Sequence, residues 1–172
     1  MKKFILKPAL FVILVVFLTN CNSETSDEPS HTINLSSKVV SSDIIKPLEK
    51  GSTYLSVYSE IYSNTEKRTH SLTVTVSIRN TSVTQDVFIS KADYFDTHGK
   101  LLKSYISDPI KVMPLETIEI VIDKSQVHGG TGGNFIFDWA KDSLTSTPIF
   151  DGVMISTSGQ QGISFTTQGV EI

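Results

Sequence analysis

The sequence has little that could cross-link the chain or coil it into helices. One cysteine occurs, Cys21. No disulfide can therefore form within the chain, and no multi-cysteine zinc site can be built. Only three alanines occur, at positions 9, 92 and 140, so the strongest helix former is nearly missing. The longest apolar run, Ala9 to Leu18, has ten residues. A helix that crosses a bilayer needs about twenty. Basic charge is not in excess: 15 Lys and Arg face 18 Asp and Glu, a net of −3. Without the first twenty residues the balance is 12 against 18. The basic footprint of a nucleic-acid binder is missing, and the charge fits a solvated surface.

What is present falls into three parts. Lys2, Lys3 and Lys7 precede the apolar run with no acid among them. A short positive segment followed by ten apolar residues reads as a secretory signal peptide, residues 1–20. The run ends in Leu18-Thr19-Asn20-Cys21. This resembles the lipobox of bacterial lipoproteins, with an aliphatic residue three before the cysteine. Asn20 departs from the usual small residue. The resemblance implies that Cys21 carries lipid, and that the mature protein is anchored to a membrane of the bacterial cell envelope, outside the cytoplasm. Each buried methylene contributes about 0.8 kcal/mol, and more than one acyl chain gives stable attachment. Residues 21–50 hold Ser, Glu, Asp, Pro and Thr with only short apolar pairs, Val39-Val40 and Ile44-Ile45. Such a stretch reads as a flexible linker.

Residues 51–172 read as one all-β domain. From residue 51 onward there are 31 serines and threonines, which suit strands and turns. Leu72, Val74, Val76 and Ile78 alternate with polar neighbours, as do Ile118, Ile120 and Ile122. Phe135, Phe137 and Trp139 share one face, with Asp138 on the other. Leu55 and Val57 alternate with Tyr54, Ser56 and Tyr58. Alternation of this kind gives one buried and one wet face. Further strands are expected at 87–95, 101–105, 149–157 and 163–167. Clusters of Asn, Asp, Gly and Pro separate them. Seven to eight short strands suggest an antiparallel immunoglobulin-like β-sandwich, with a small barrel as the competing architecture.

Four blocks carry a second resemblance: Ser71 to Asn80 (SLTVTVSIRN), Asp93 to Lys100 (DYFDTHGK), Gly129 to Trp139 (GGTGGNFIFDW) and Gly159 to Phe165 (GQQGISF). Together they resemble domain-of-unknown-function family three-one-two-four, small exported bacterial proteins. The resemblance spans residues 53–172. It implies an envelope location and supplies no catalytic residue.

Candidate chemistry is weighed against blander roles. Gly129-Gly130-Thr131-Gly132-Gly133 invites a phosphate-loop reading, but no lysine and hydroxyl follow and no helix opens. A turn that lets the backbone pass close to a neighbour explains it. His128 beside it reads as a loop residue. Asp93, Asp96 and His98 offer metal-ligand atoms, yet a hairpin turn Asp-Thr-His-Gly explains the same residues. Gly-x-Ser-x-Gly and His-Glu-x-x-His are both missing. No catalytic residue, metal or cofactor is assigned. The better binding candidates are Arg79, Asn80, Asn134, Asp138, Trp139, Gln160 and Gln161. Amides, an arginine and an aromatic suit a glycan or a peptide strand of an envelope protein. Equally, Asn80 and the glutamines can cap turns and satisfy backbone groups. The expectation is a membrane-anchored binding or structural module. The alternative is an envelope enzyme, or a glycan or small-ligand binder, with its polar groups converging on a pocket.

Overall fold

A computed structural model describes residues 34–125, 127–157 and 162–172. Cys21, Gln160 and Gln161 lie outside them. Among the described residues twelve strands form, all antiparallel where they pair. Eight of them have six or more residues: β1 (Glu49–Val57), β4 (Thr73–Arg79), β5 (Val87–Phe95), β6 (Leu101–Ile106), β8 (Thr117–Ile122), β9 (Gly133–Lys141), β10 (Ile149–Ser156) and β11 (Ile163–Gln168). Four are short: β2 (Glu60–Tyr62), β3 (Thr69–Ser71), β7 (Ile110–Val112) and β12 (Val170–Glu171). The eight longer strands are those the alternation predicts. The short ones carry too few residues for a period to register.

The strands make an antiparallel β-sandwich. The larger sheet runs β12-β1-β9-β5-β6, with β7 also on β5, and the smaller runs β11-β10-β4-β8. Consecutive strands β4 and β5 lie in different sheets, as do β8 and β9, while β4 pairs β8 and β5 pairs β9. These interlocked pairs are shared with immunoglobulin-like sandwiches. The flanks are exchanged: the strand after the second crossing, β10, lies beside β4, and the opening strand β1 lies beside β9.

Apolar side chains from both sheets form one core. Leu55, Val76, Ile78, Ile89, Ile118, Phe135, Phe137 and Met154 are wholly buried in it. Tyr94, Phe135, Phe137 and Phe150 stack in sequence, with centroids 4.9, 5.3 and 4.5 Å apart. The last contact joins β9 to β10 across the sandwich. Each such pair adds about 0.5–1.5 kcal/mol beyond its buried area. Val121, which blurs the pattern of β8, points outward and is exposed.

One expectation is corrected. The linker was drawn to Lys50, but its second half is built onto the domain as a strap. Asn34 caps a 3-10 turn at Leu35–Lys38, accepting from the Ser36 N–H at 3.1 Å. Val39 bridges Ile110, and the Val40 N–H donates to the Pro109 carbonyl at 2.8 Å. Lys38 makes an ion pair with Glu116. Further on, Ile45 sits beside Gly51, Ser52 and Asp138 on the outer face of the larger sheet. Phe88 and Ala140 point to that face by register, yet both are buried and outside the sandwich core. A segment too poor in apolar residues to make a core can still dock on a sheet that exists already.

Candidate functional site

Among the described residues the candidate site side chains do not converge as a group, although Asp138 and Trp139 border one depression. Each is placed by its strand's register. Arg79 ends β4 on the outer face of the smaller sheet. There its Nε lies 3.4 Å from Asp151 Oδ2, and a terminal nitrogen donates to Thr117 at 3.3 Å. Asn80, the next residue, turns inward and is buried. Its amide nitrogen donates to the carbonyls of Gln85 at 2.8 Å, Val112 at 3.1 Å and Met113 at 3.1 Å. Its oxygen accepts from the Ser82 N–H at 2.9 Å. Every polar atom of this side chain is spent on backbone.

Trp139 is 1 % exposed and belongs to the core. Its indole N–H donates to Thr53 Oγ1 at 3.0 Å. Its ring lies over Gly51, where a Cβ would come within 2.2 Å of it. Its ring is packed inward, while the residue borders that depression. Strand alternation sends its neighbour Asp138 the other way. Asp138 is half-buried on the outer face of the larger sheet, accepting from Ser52 Oγ at 2.7 Å and 3.2 Å from Lys91 Nζ. Asn134 is half-buried on the same face, in register between Ser56 and Phe95.

The Ser52–Asp138–Lys91 row is the polar arrangement that sequence reasoning missed in part. Asp138 was singled out, but Ser52 and Lys91 join it only through the pairing of β1, β9 and β5. A bulge at Ser90 brings Lys91 onto this face. Ser90 itself donates to the Asp138 carbonyl at 3.2 Å. Ser52, Ser90, Asp138, Lys50, Ile45 and Ile172 line a shallow depression of about 410 Å³, which Gly51 and Trp139 also border. Its groups can donate and accept hydrogen bonds to a polar ligand. The Ser52 hydroxyl donates to a carboxylate that is also paired with Lys91.

The glycine stretch behaves as a close-approach turn. Gly130 has φ +69. Gly129 lies against Tyr94, and a Cβ there would be 1.7 Å from the phenol oxygen. Thr97 Oγ1 donates to the Gly129 carbonyl at 3.0 Å, and Ser59 Oγ donates to the Gly130 carbonyl at 3.1 Å. Burial pushes the Tyr94 phenol up, a trend the Ser59 hydroxyl opposes and the Asp96 charge reinforces. The nearby Asp-Thr-His-Gly turn has the predicted form. Asp96 Oδ1 accepts from the His98 and Lys100 N–H groups at 2.8 and 2.9 Å. These bonds, led by that from Lys100, hold its carboxyl below the ordinary range. Asp93 accepts from Ser104 at 2.6 Å instead of turning toward Asp96. Among the described residues no three metal-ligating side chains converge.

No curated protein matches the chain. A solved structure titled "Crystal Structure of Thermotoga maritima 1070" is similar at 10% identity and a TM-score of 0.40, covering 70% of this chain and 94% of that one. The family model described as "Protein of unknown function (DUF3124)" matches residues 50–172, which takes in all eight of the longer strands but for the first residue of β1. The chain belongs to that family.

Proposed function

We propose that this protein is a lipid-anchored module of the bacterial cell envelope that works by binding or structural support and performs no chemistry of its own. The supporting observation is where the candidate side chains go. Asn80 is consumed by four backbone bonds. Trp139 is consumed by the core. Arg79 and Asp138 sit on the outer faces of different sheets, each in an ion pair. An active site needs such groups to converge on one reacting atom. A scaffold scatters them and ties them down. The anchor rests on the lipobox-like sequence ending in Cys21.

The test is Cys21→Ser in cells, followed by fatty-acid labelling and membrane fractionation. The variant is expected to lose the label and leave the membrane fraction. A variant that remains membrane-bound to the same degree refutes the anchor. A second reading, a glycan or small polar ligand on the outer face, is favoured by the Ser52–Asp138–Lys91 row. Binding of a sugar that survives Asp138→Ala unchanged removes that reading.

A further inference from the structure

One end of the sandwich displays apolar side chains that the fold does not use. Three connections meet there: residues 80–86, 113–116 and 142–148. The Asn80 N–H donates to the Glu116 carbonyl and the Leu115 N–H to the Ser82 carbonyl, both at 3.0 Å. The third connection is fixed by register, with Lys141 opposite Val87 and Ile149 opposite Arg79. At their tips stand Leu144 (94 % exposed), Val83 (72 %), Leu115 (66 %) and Met113 (48 %).

These loops are built, not slack. Ser82 Oγ accepts from the Thr84 and Gln85 N–H groups. Asp142 accepts from the Leu144 N–H at 2.9 Å, with its carbonyl taking Thr145. Leu115 has φ +59, the one positive φ outside glycine among the described residues. It lies in the turn closed by the Glu116 N–H on the Met113 carbonyl, which presents its side chain to solvent. Exposed apolar groups on ordered loops, clustered on one end, mark an interaction surface.

Charge and chain length bear on what this surface meets. The cations on these loops and the strands that carry them are paired: Lys38 with Glu116, Lys111 with Asp86, Arg79 with Asp151 and Lys141 with Glu49. The surface therefore offers apolar contact without net attraction for an anionic partner. The strap leading back toward Cys21 is fastened to this end through Lys38 and Glu116. Thirteen steps of chain separate Cys21 from Asn34, a reach of at most about 45 Å. We infer that this loop end rests on the lipid bilayer, with Leu144, Val83 and Leu115 inserted at the headgroup boundary, so that the domain is held in one orientation. The inference rests on the lipid-anchor reading above.

The lipidated chain carries no free thiol, so one introduced cysteine takes one label. Leu144→Cys, Val83→Cys and Leu115→Cys are each labelled with a polarity-sensitive fluorophore, with Glu66→Cys on the β2–β3 hairpin as reference. The chain is reconstituted in phosphatidylcholine vesicles doped with nitroxide lipid. Trp139 emission verifies folding. Quenching at 144, 83 and 115 is expected to exceed that at 66 several-fold, unchanged when anionic lipid is added. Equal quenching at all four sites overturns the inference. So does shielding that grows with protein concentration in the absence of vesicles, which assigns the surface to a second copy. A parallel arm uses the Cys21→Ser chain, with a histidine tag at its N-terminus, on nickel-chelating lipid. Insertion there without acylation of the native chain refutes the anchor alone. Failure to insert on either tether refutes the loop surface alone.

Discussion

Asn80→Ala removes a side chain that satisfies four backbone groups at once. Two N–H groups serve the carbonyls of Gln85, Val112 and Met113, and the oxygen takes the Ser82 N–H. A buried polar group left unpaired costs about 1–3 kcal/mol. The bond to Val112 is buried, while the other three are part-buried and partly recoverable by water. Taking the first near its full cost and letting water satisfy the other three gives a loss of about 3 kcal/mol. With a urea slope of about 2 kcal/mol per M, the midpoint falls by about 1.5 M. Trp139 is the single tryptophan and is buried, so its emission reports the transition directly. Asn80→Asp is the sharper variant. It keeps the acceptor and the shape but turns both donors into a carboxylate oxygen facing three carbonyls. It is expected to be less stable than Asn80→Ala below the point where the domain unfolds outright. A shift under about 0.5 kcal/mol for either variant refutes the structural role and returns Asn80 to the binding candidates.

Three further outcomes follow from the geometry. Gly129→Ala drives a methyl into the Tyr94 phenol and is expected to destabilise by about 1–3 kcal/mol; Tyr94→Phe in the same chain recovers part of the loss, measured as a double-mutant cycle. Burial pushes Glu116 up, but the Lys38 hydrogen bond, the Met113 N–H and the charges of Lys38 and Lys111 outweigh it, and its carboxyl lies below the ordinary 4.5. The strap's ion pair is therefore intact above about that pH and fades as pH falls through the depressed folded value. Protection of the Val40 amide, its exchange taken relative to the intrinsic rate at each pH, is expected to fall over that acid range and to lose this pH dependence in Glu116→Gln. Asp138→Ala is expected to cost under about 1 kcal/mol, since its ion pair is more than a third exposed, whereas Trp139→Ala next door costs about 3–5 kcal/mol; comparable losses in denaturation of the two variants contradict the face assignment.

What the sequence discloses is what one strand can disclose by itself. The period of two at Leu72–Ile78 and Phe135–Trp139 places those residues on a buried face without reference to any partner. It separates Trp139 from Asp138 in the same way. Partnership between strands is not local. Ser52 meets Asp138 because β1 pairs with β9 in one register, and no composition or spacing encodes it. The strap escaped for a related reason. Val39-Val40 and Ile44-Ile45 are too few to fold alone, and what they dock on is assembled from residues far along the chain. Glycine was legible as a demand for space, but Tyr94, which makes the demand at Gly129, lies 35 positions earlier.

The exchange of flanking strands also governs the order of assembly. β1 has no partner until β9 exists, and Ser52 waits for Asp138, 86 residues later. Its other neighbour, β12, is the last strand of the chain. The larger sheet therefore cannot close around its first strand until nearly all of the polypeptide is available. Folds dominated by such distant pairings form in milliseconds to seconds, not microseconds. A chain so arranged can pair β4 with β8, and β5 with β6 and β7, early, while its first strand stays without a partner until β9 is available.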